Sequence, residues 1–368
     1  MAAAPGFPAC GGPRCSEGSV SPHLVRSPDR PDSTGEVMPV PTVDLAPGLT
    51  VSAQGYGAMS VSPAYGPVDL DEALATLHHA VDLGVTFVDT ANVYGDGTSE
   101  RVVGKLLHDR GDEVQVATKF GLVGALGSGN RGIDGRPEYA KKALDESLDR
   151  LGVDRVDLYY LHRVDPDVPI EDTVGALAEL VQAGKIRHIG LSEATGDELR
   201  RAHAVHPIAA IQSEWSIVSR DVEKNVVPTA VELGIGFVPY SPVSRGLLTD
   251  AFDAARIGEK DLRRRFPRFD ADALPANLQV RAAVRAVADE VGATIAQVAL
   301  AWLDAKARQF GLPSVAIPGS RSAARVTENA GALDVRLTDE HVARLDTLAD
   351  AVVGGRAADP TWVSWGRE

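Results

Sequence analysis

Cysteine is scarce in this chain. Two occur in 368 residues, Cys10 and Cys15, both close to the N-terminus. No disulfide framework can therefore hold the rest together. With no histidine beside them the two thiols read as incidental, and no metal site is expected. A run of 18 uninterrupted apolar residues is also lacking, so no membrane-spanning helix is expected. Positive charge is in deficit: 37 Lys and Arg stand against 51 Asp and Glu, a net charge of −14. An acidic surface argues against nucleic acid or an anionic membrane as a general partner. An anionic ligand would need a local basic pocket. Residues 1–40 are rich in Gly, Pro, Ala and Ser and have no apolar h-region. They read as a disordered extension rather than a secretory signal, with Met38 a candidate true start, and a cytoplasmic protein is expected.

What is present is globular: 44% hydrophobic and 24% charged residues, enough for a sizeable core. From Thr42 onward, short β-type runs alternate with amphipathic helical patterns. Residues 43–45 and 49–51 flank Pro47-Gly48, a hairpin signal. Residues 54–59 read as a first strand. Residues 69–83 form a helix with Leu70, Ala73, Leu74, Leu77 and Val81 on one face. Strand and helix patterns continue in turn to a strand at 314–317 and helices at 322–330 and 338–350. Helix 222–233 lies between strands 208–211 and 235–239. Eight strand–helix units imply an α/β fold, a (β/α)8 barrel over residues 41–355 with the hairpin capping its bottom and residues 356–368 as a tail. An open doubly wound sheet should show Gly-x-Gly-x-x-Gly after its first strand. Gly55-Tyr56-Gly57 comes nearest and has no third glycine.

Barrel chemistry belongs at the strand exits. The run 85–88 ends in Asp89, with Tyr94 five residues on; 114–118 leads into Lys119; 156–161 leads into His162. Later exits carry Ser192-Glu193, Gln212, Tyr240-Ser241 and Gly319-Ser320-Arg321. Together they describe one polar-lined mouth. A free tyrosine has a pKa of about 10, and a nearby ammonium lowers it. Lys119 would be that ammonium, held charged by Asp89, and His162 would donate a second hydrogen bond to a developing alkoxide. An acid beside an oxyanion donor suits carbonyl reduction. No side chain supplies hydride, so a nicotinamide is required.

Five stretches carry a resemblance: Asp-Thr-Ala-Asn-Val-Tyr-Gly (89–95), Ala-Thr-Lys-Phe (117–120), the run 149–166 with Tyr-Leu-His-Arg-Val-Asp-Pro at its end, Gly-Lys-Ile-Arg-His-Ile-Gly-Leu-Ser-Glu-Ala (184–194), and Ile-Pro-Gly-Ser-Arg (317–321) through to Asn329. They resemble the aldo-keto reductase superfamily from about residue 42 to 353, most of all its microbial and plant branch of aldehyde, pyridoxal and quinone-type reductases. The resemblance implies a tetrad of Asp89, Tyr94, Lys119 and His162. It implies that Ser192 and Gln212 bind the nicotinamide carboxamide and that Tyr240 stacks on the ring. It places Ser241, Arg245 and Gly246 near the pyrophosphate. Ser320, Arg321 and Arg325 match the pocket for an adenosine 2′-phosphate, and Glu328 and Asn329 match adenine contacts. An arginine pair at a helix N-terminus suits a phosphate through charge, fork geometry and dipole, so NADPH is expected over NADH.

Three positions depart from that pattern. Gly319 stands where many relatives have Lys, Trp215 where Tyr is usual, and Ser244 where Gly is frequent. The Gly-rich loop 121–137 would border the substrate and is not a P-loop, because no Gly-Lys-Ser/Thr follows. Met59, Tyr65, Trp215, Trp362 and Trp365 are pocket-wall candidates, with core or surface packing as the plainer reading. An apolar pocket suggests small carbonyl substrates, aromatic or medium-chain aldehydes and ketones. Two alternatives stand beside an NADPH-dependent reductase. One is a nicotinamide-binding regulatory subunit like the channel-associated β subunits of the superfamily. The other is a barrel hydrolase, which would need a metal cluster or paired carboxylates. Oligomeric state is left open.

Overall fold

The computed structural model describes residue 1 and residues 39–124, 132–259 and 261–368. The N-terminal extension with Cys10, Cys15 and Met38, and the centre of the Gly-rich loop, lie outside those residues.

Strands β1 (Thr42–Ala46) and β2 (Leu49–Ser52) pair antiparallel around Gly48, as the hairpin signal predicts. Seven parallel strands follow in chain order around one sheet: β3 (Tyr56–Gly57), β4 (Phe87–Asp89), β5 (Gln115–Phe120), β8 (Val156–Leu161), β9 (Ile186–Ser192), β10 (Ile208–Glu214) and β11 (Gly236–Tyr240). A small ribbon of β6 (Leu122–Val123) and β7 (Gly132–Ile133) stands outside the barrel. Residues 313–318 close the gap between β11 and β3. Val315 N donates to Phe237 O (3.0 Å), Ile317 N to Pro239 O (3.2 Å) and Gly55 N to Ala316 O (2.9 Å). The expected eighth strand at 314–317 is thus in place but held by isolated bridges. Its ladder is thin because Pro239 on the neighbouring strand, and Pro313 and Pro318 at its own ends, have no N–H to give.

The barrel interior is filled by alternate residues. Phe87, Ala117, Leu158, Tyr160, Ala210, Val238, Val315 and Ile317 pack in one cluster with Leu45, Ala46, Leu49 and Val51 of the hairpin. The hairpin is therefore the plug of the lower end. The fit is close: a Cβ on Gly236 would lie 2.3 Å from the Leu45 carbonyl oxygen.

Helices α1 (Leu70–Asp82), α2 (Thr98–Arg110), α3 (Pro137–Leu151), α4 (Ile170–Gln182), α5 (Gly196–Val205), α6 (Val226–Leu233), α7 (Leu274–Val291), α8 (Ile295–Phe310), α9 (Ala323–Ala330) and α10 (Asp339–Asp346) complete the described elements. Their ends follow local chemistry. Asp69 accepts from the Asp71 and Glu72 amides at the start of α1, Thr195 and Glu198 form a capping box on α5, and Gly152 ends α3 in the left-handed region. Leu70 is an exception to the predicted face: it lies at the first turn and is exposed. Helix α6 starts at Val226 rather than 222, after a separate short turn over Asp221–Glu223. Asp221 is drawn aside there by Arg356, and Pro228 suits a first turn rather than a helix interior. Among the described residues no single helix is long and apolar enough to cross a membrane.

Gly319 explains itself at the seam. A Cβ there would sit 2.3 Å from the Gly57 carbonyl oxygen and 3.2 Å from Ser60 Oγ. No side chain fits without moving backbone, so the lysine frequent in relatives is excluded at this spacing. We expect Gly319→Ala to cost about 1–3 kcal/mol, read as a lower urea midpoint at unchanged slope.

Candidate functional site

The period of two that fills the barrel also builds its upper layer. One step above the apolar cluster, the same inward positions carry Asp89 on β4, Lys119 on β5, His162 just after β8, Ser192 on β9, Gln212 and Glu214 on β10 and Tyr240 on β11. Asp89, Lys119, Ser192 and Gln212 are buried almost completely.

Lys119 Nζ pairs with Asp89 Oδ1 and donates to the Thr90 carbonyl at 2.8 Å. Gln212 Nε2 donates to Asp89 Oδ2 at 2.8 Å. Burial pushes the Asp89 carboxyl up and the Lys119 ammonium down, and their mutual contact opposes both shifts. The Lys119 ammonium faces the Tyr94 ring, 5.1 Å from its centre, and the Tyr160 ring lies 5.8 Å away. His162 meets Tyr94 edge to face, with ring centres 5.8 Å apart and planes at 82°. The four residues singled out at the strand exits therefore form one cluster.

The electrostatics of Tyr94 differ from the sequence expectation. Its phenol is pushed up, by burial first and by the Asp89 charge second, while Arg163 pulls the other way. An ammonium was expected to lower it. The Lys119 charge is committed to Asp89 and the Thr90 carbonyl. Arg163 lay in the quoted motif without a role. Its Nη1 donates to the His162 carbonyl (2.5 Å) and to Ser192 Oγ (3.2 Å), bridging two exits.

Glu193 is the second residue that sequence reasoning underrated. Its side chain is buried and accepts from Tyr240 Oη at 2.8 Å. Burial alone would raise its pKa, but the Arg356 guanidinium overrides that and holds it at about 2. Gln212 is turned toward Asp89.

The loop after β11 is strained. Among the described residues five non-glycine residues have positive φ, and four belong here or face it: Glu193 (55°), Ser241 (50°), Ser244 (49°) and Arg245 (55°). Such strain gathers at ligand sites. It also explains why glycine is frequent at position 244. Gly246 continues the turn at φ 93°. Arg245 reaches Glu214 (3.2 Å) and stacks on Phe266 (3.9 Å).

Ser320, Arg321 and Arg325 gather at the start of α9. Arg321 Nη1 donates to the Pro67 carbonyl (2.6 Å), and burial holds its pKa down. Arg325 is exposed. Among the described residues neither forms an ion pair with a carboxylate, and the side chain of Ser322, the residue before α9, caps none of the first helical amides. Glu328 and Asn329 share the Arg325 face one turn on. The Asn329 carbonyl accepts from Gln54 (2.8 Å) and ties α9 to the start of β3. Two arginines without carboxylate partners, at a helix start that its own N-cap side chain leaves uncapped, suit a phosphate.

The pocket-wall candidates divide. Met59 and Trp362 pack on Ala91, Val93, Tyr94 and Leu122 and border the mouth. Tyr65 lies beside Arg263, 6.0 Å from its guanidinium, on the basic side. Trp365 is 42% exposed. Trp215 is not part of the pocket floor. It lies one residue past the end of β10, fully buried against Phe237, Trp302 and Phe310. Of the Gly-rich loop, only its flanks, paired as β6 and β7, are described. Residues 356–368, set apart in the sequence as a tail, lie against these exits.

A family model for the aldo/keto reductase family matches residues 54–350, and the chain belongs to that family. Its members are oxidoreductases that typically use NAD(P)H. Among curated relatives, "Probable aldo-keto reductase 1" of Glycine max is 41% identical over 313 residues, covering 84% of this chain and 89% of its own. Among solved structures, the glycerol dehydrogenase AKR11B4 from Gluconobacter oxydans aligns with a TM-score of 0.75 and 28% identity, covering 86% of this chain and 96% of its own. A thermostable aldo-keto reductase, Tm1743, crystallised with the inhibitor epalrestat, aligns at 0.65 and 28% identity over 82% of this chain and 96% of its own.

Proposed function

We propose that this protein reduces aldehydes or ketones to alcohols with NADPH, Tyr94 supplying the proton. The observation that carries the reading is the buried Asp89–Lys119 pair facing the Tyr94 ring, with His162 against its edge. When bound, the nicotinamide supplies hydride to the carbonyl carbon. The protein's own residues do the rest. Tyr94 holds its proton firmly because burial raises its pKa, and it releases that proton only to an oxygen that has become strongly basic. His162 stands beside it as a second donor to that oxygen. Asp89 fixes Lys119, whose ammonium stands over the phenol ring. Met59, Trp362 and Leu122 line the mouth with apolar surface.

Ser192 and Gln212 would hold the carboxamide, Tyr240 the ring face, Ser241, Arg245 and Gly246 the pyrophosphate. Arg321, Arg325 and Ser320 would take the 2′-phosphate, with Glu328 and Asn329 at the adenine. Support for the 2′-phosphate comes from the two arginines without carboxylate partners. We expect Arg325→Ala to raise KM for NADPH about tenfold, about 1.4 kcal/mol, and to leave KM for NADH near wild type.

The deciding experiment follows NADPH consumption with 4-nitrobenzaldehyde, methylglyoxal, pyridoxal and a quinone, plus glycerol and NADP+ in the reverse direction. Turnover with any of them supports the reading. NADPH binding without turnover on the whole panel would point instead to a cofactor-sensing role.

A further inference from the structure

We propose that the C-terminal segment is a positioning element for the cofactor ring: Arg356 and Ser364, acting through the Glu193 carboxylate, fix the Tyr240 side chain at the β11 exit. The inference rests on the reading of Tyr240 as the nicotinamide platform. Its basis is the number of donors converging on two buried oxygens. Glu193 Oε1 accepts from Tyr240 Oη (2.8 Å), the Glu214 amide (3.0 Å) and Arg356 Nη1 (2.8 Å). Oε2 accepts from Arg356 Nη2 (3.0 Å) and from the Ser364 amide (3.0 Å) and hydroxyl (3.3 Å). Four of these six donors come from the last 13 residues. The carboxylate that orients Tyr240 is thus satisfied only while the tail is docked.

Arg356 is itself over-determined. Its side chain is 2% exposed, and it binds Asp221 through both Nε and Nη2 as well as Glu193. A second clip lies at the end of the chain, where Arg367 Nη2 donates to the Glu193 carbonyl (2.6 Å) and pairs with Glu198 (2.9 Å). Glu193 also holds a left-handed backbone at φ 55°, a conformation a glutamate keeps only when its surroundings impose it. Tail docking and the Tyr240 position therefore share one carboxylate. Whatever binds against the Tyr240 ring must stabilise the docked tail by the factor by which the docked tail favours binding.

The test is a cycle on cofactor affinity, read from NADPH fluorescence titrations. Arg356→Ala should raise the NADPH Kd about tenfold. Arg356→Lys, which keeps the charge and loses the fork, should restore part of it. In a Tyr240→Phe background, where the hydroxyl link is already cut, Arg356→Ala should add nothing. In wild type, saturating NADPH should slow amide exchange across residues 356–368. Additive Arg356 and Tyr240 effects, or tail exchange indifferent to NADPH, would overturn the proposal. The exchange experiment decides if the Arg356 variant does not fold. Wild-type NADPH affinity in Tyr240→Ala would instead remove the platform reading, and this inference with it.

Discussion

Tyr94→Phe should lower kcat by about 100- to 10,000-fold while NADPH binds as in wild type. The substitution removes one oxygen and keeps the ring. The edge contact with His162, the apolar contacts with Met59 and Trp362, and the position over Lys119 all persist. What goes is the phenol proton that the substrate oxygen would take. The loss should appear in kcat and kcat/KM together, because it is felt only as negative charge grows on the substrate oxygen. Stopped-flow single turnovers separate this from slow product release. The pH dependence sharpens the claim. A general acid must be protonated in the free enzyme, and burial raises the Tyr94 phenol above its ordinary value. The kcat/KM profile should therefore show no fall from this group below about pH 10, the ordinary phenol value. A fall of kcat/KM near neutrality that disappears in Tyr94→Phe would show the phenol shifted the other way.

Asp89→Ala should be the most destabilising single change at the site, costing about 3–5 kcal/mol of unfolding free energy. It leaves the Lys119 ammonium, fully buried, to the Thr90 carbonyl, and it leaves Gln212 without the oxygen it donates to. The double variant Asp89→Leu with Lys119→Met should recover much of the loss while staying inactive, since an apolar pair of similar size has no charge to strand. Urea unfolding gives both numbers. In Asp89→Ala the folded-state pKa of Lys119 lies below its unfolded value, burial acting alone, so the unfolded chain binds the extra proton. Stability of that variant should therefore rise with pH toward the unfolded lysine value of about 10.4. Equal unfolding midpoints for wild type and Asp89→Ala would show that the pair contributes nothing to the fold.

Much of the cluster was legible because a strand has a period of two. Asp89, Lys119, Gln212 and Tyr240 each sit one inward step above a residue of the apolar cluster: Phe87, Ala117, Ala210 and Val238. Applied strictly, and carried one residue past the end of β10, the same parity places Trp215 on the outer side and Tyr160 and Glu214 on the inner one, where the structure has them. Judging Trp215 by its nearness in sequence to Gln212, rather than by parity, is what misplaced it. Tyr94 electrostatics were not legible, because the sign depends on burial and on the Asp89 charge, which only the folded geometry sets. Glu193 was visible as an exit residue, but its partner Arg356 lies 163 residues away, and no local pattern joins them. The thin eighth strand, by contrast, was foreshadowed by Pro239, Pro313 and Pro318.

That eighth strand leads directly into Ser320 and Arg321. The stretch that zips the barrel shut by a few bonds is continuous with the stretch suited to hold an anion. A phosphate gripped there works as a clasp on the whole cylinder. Occupancy should be felt not only at the rim but along the wall, as quieter breathing between β11 and β3.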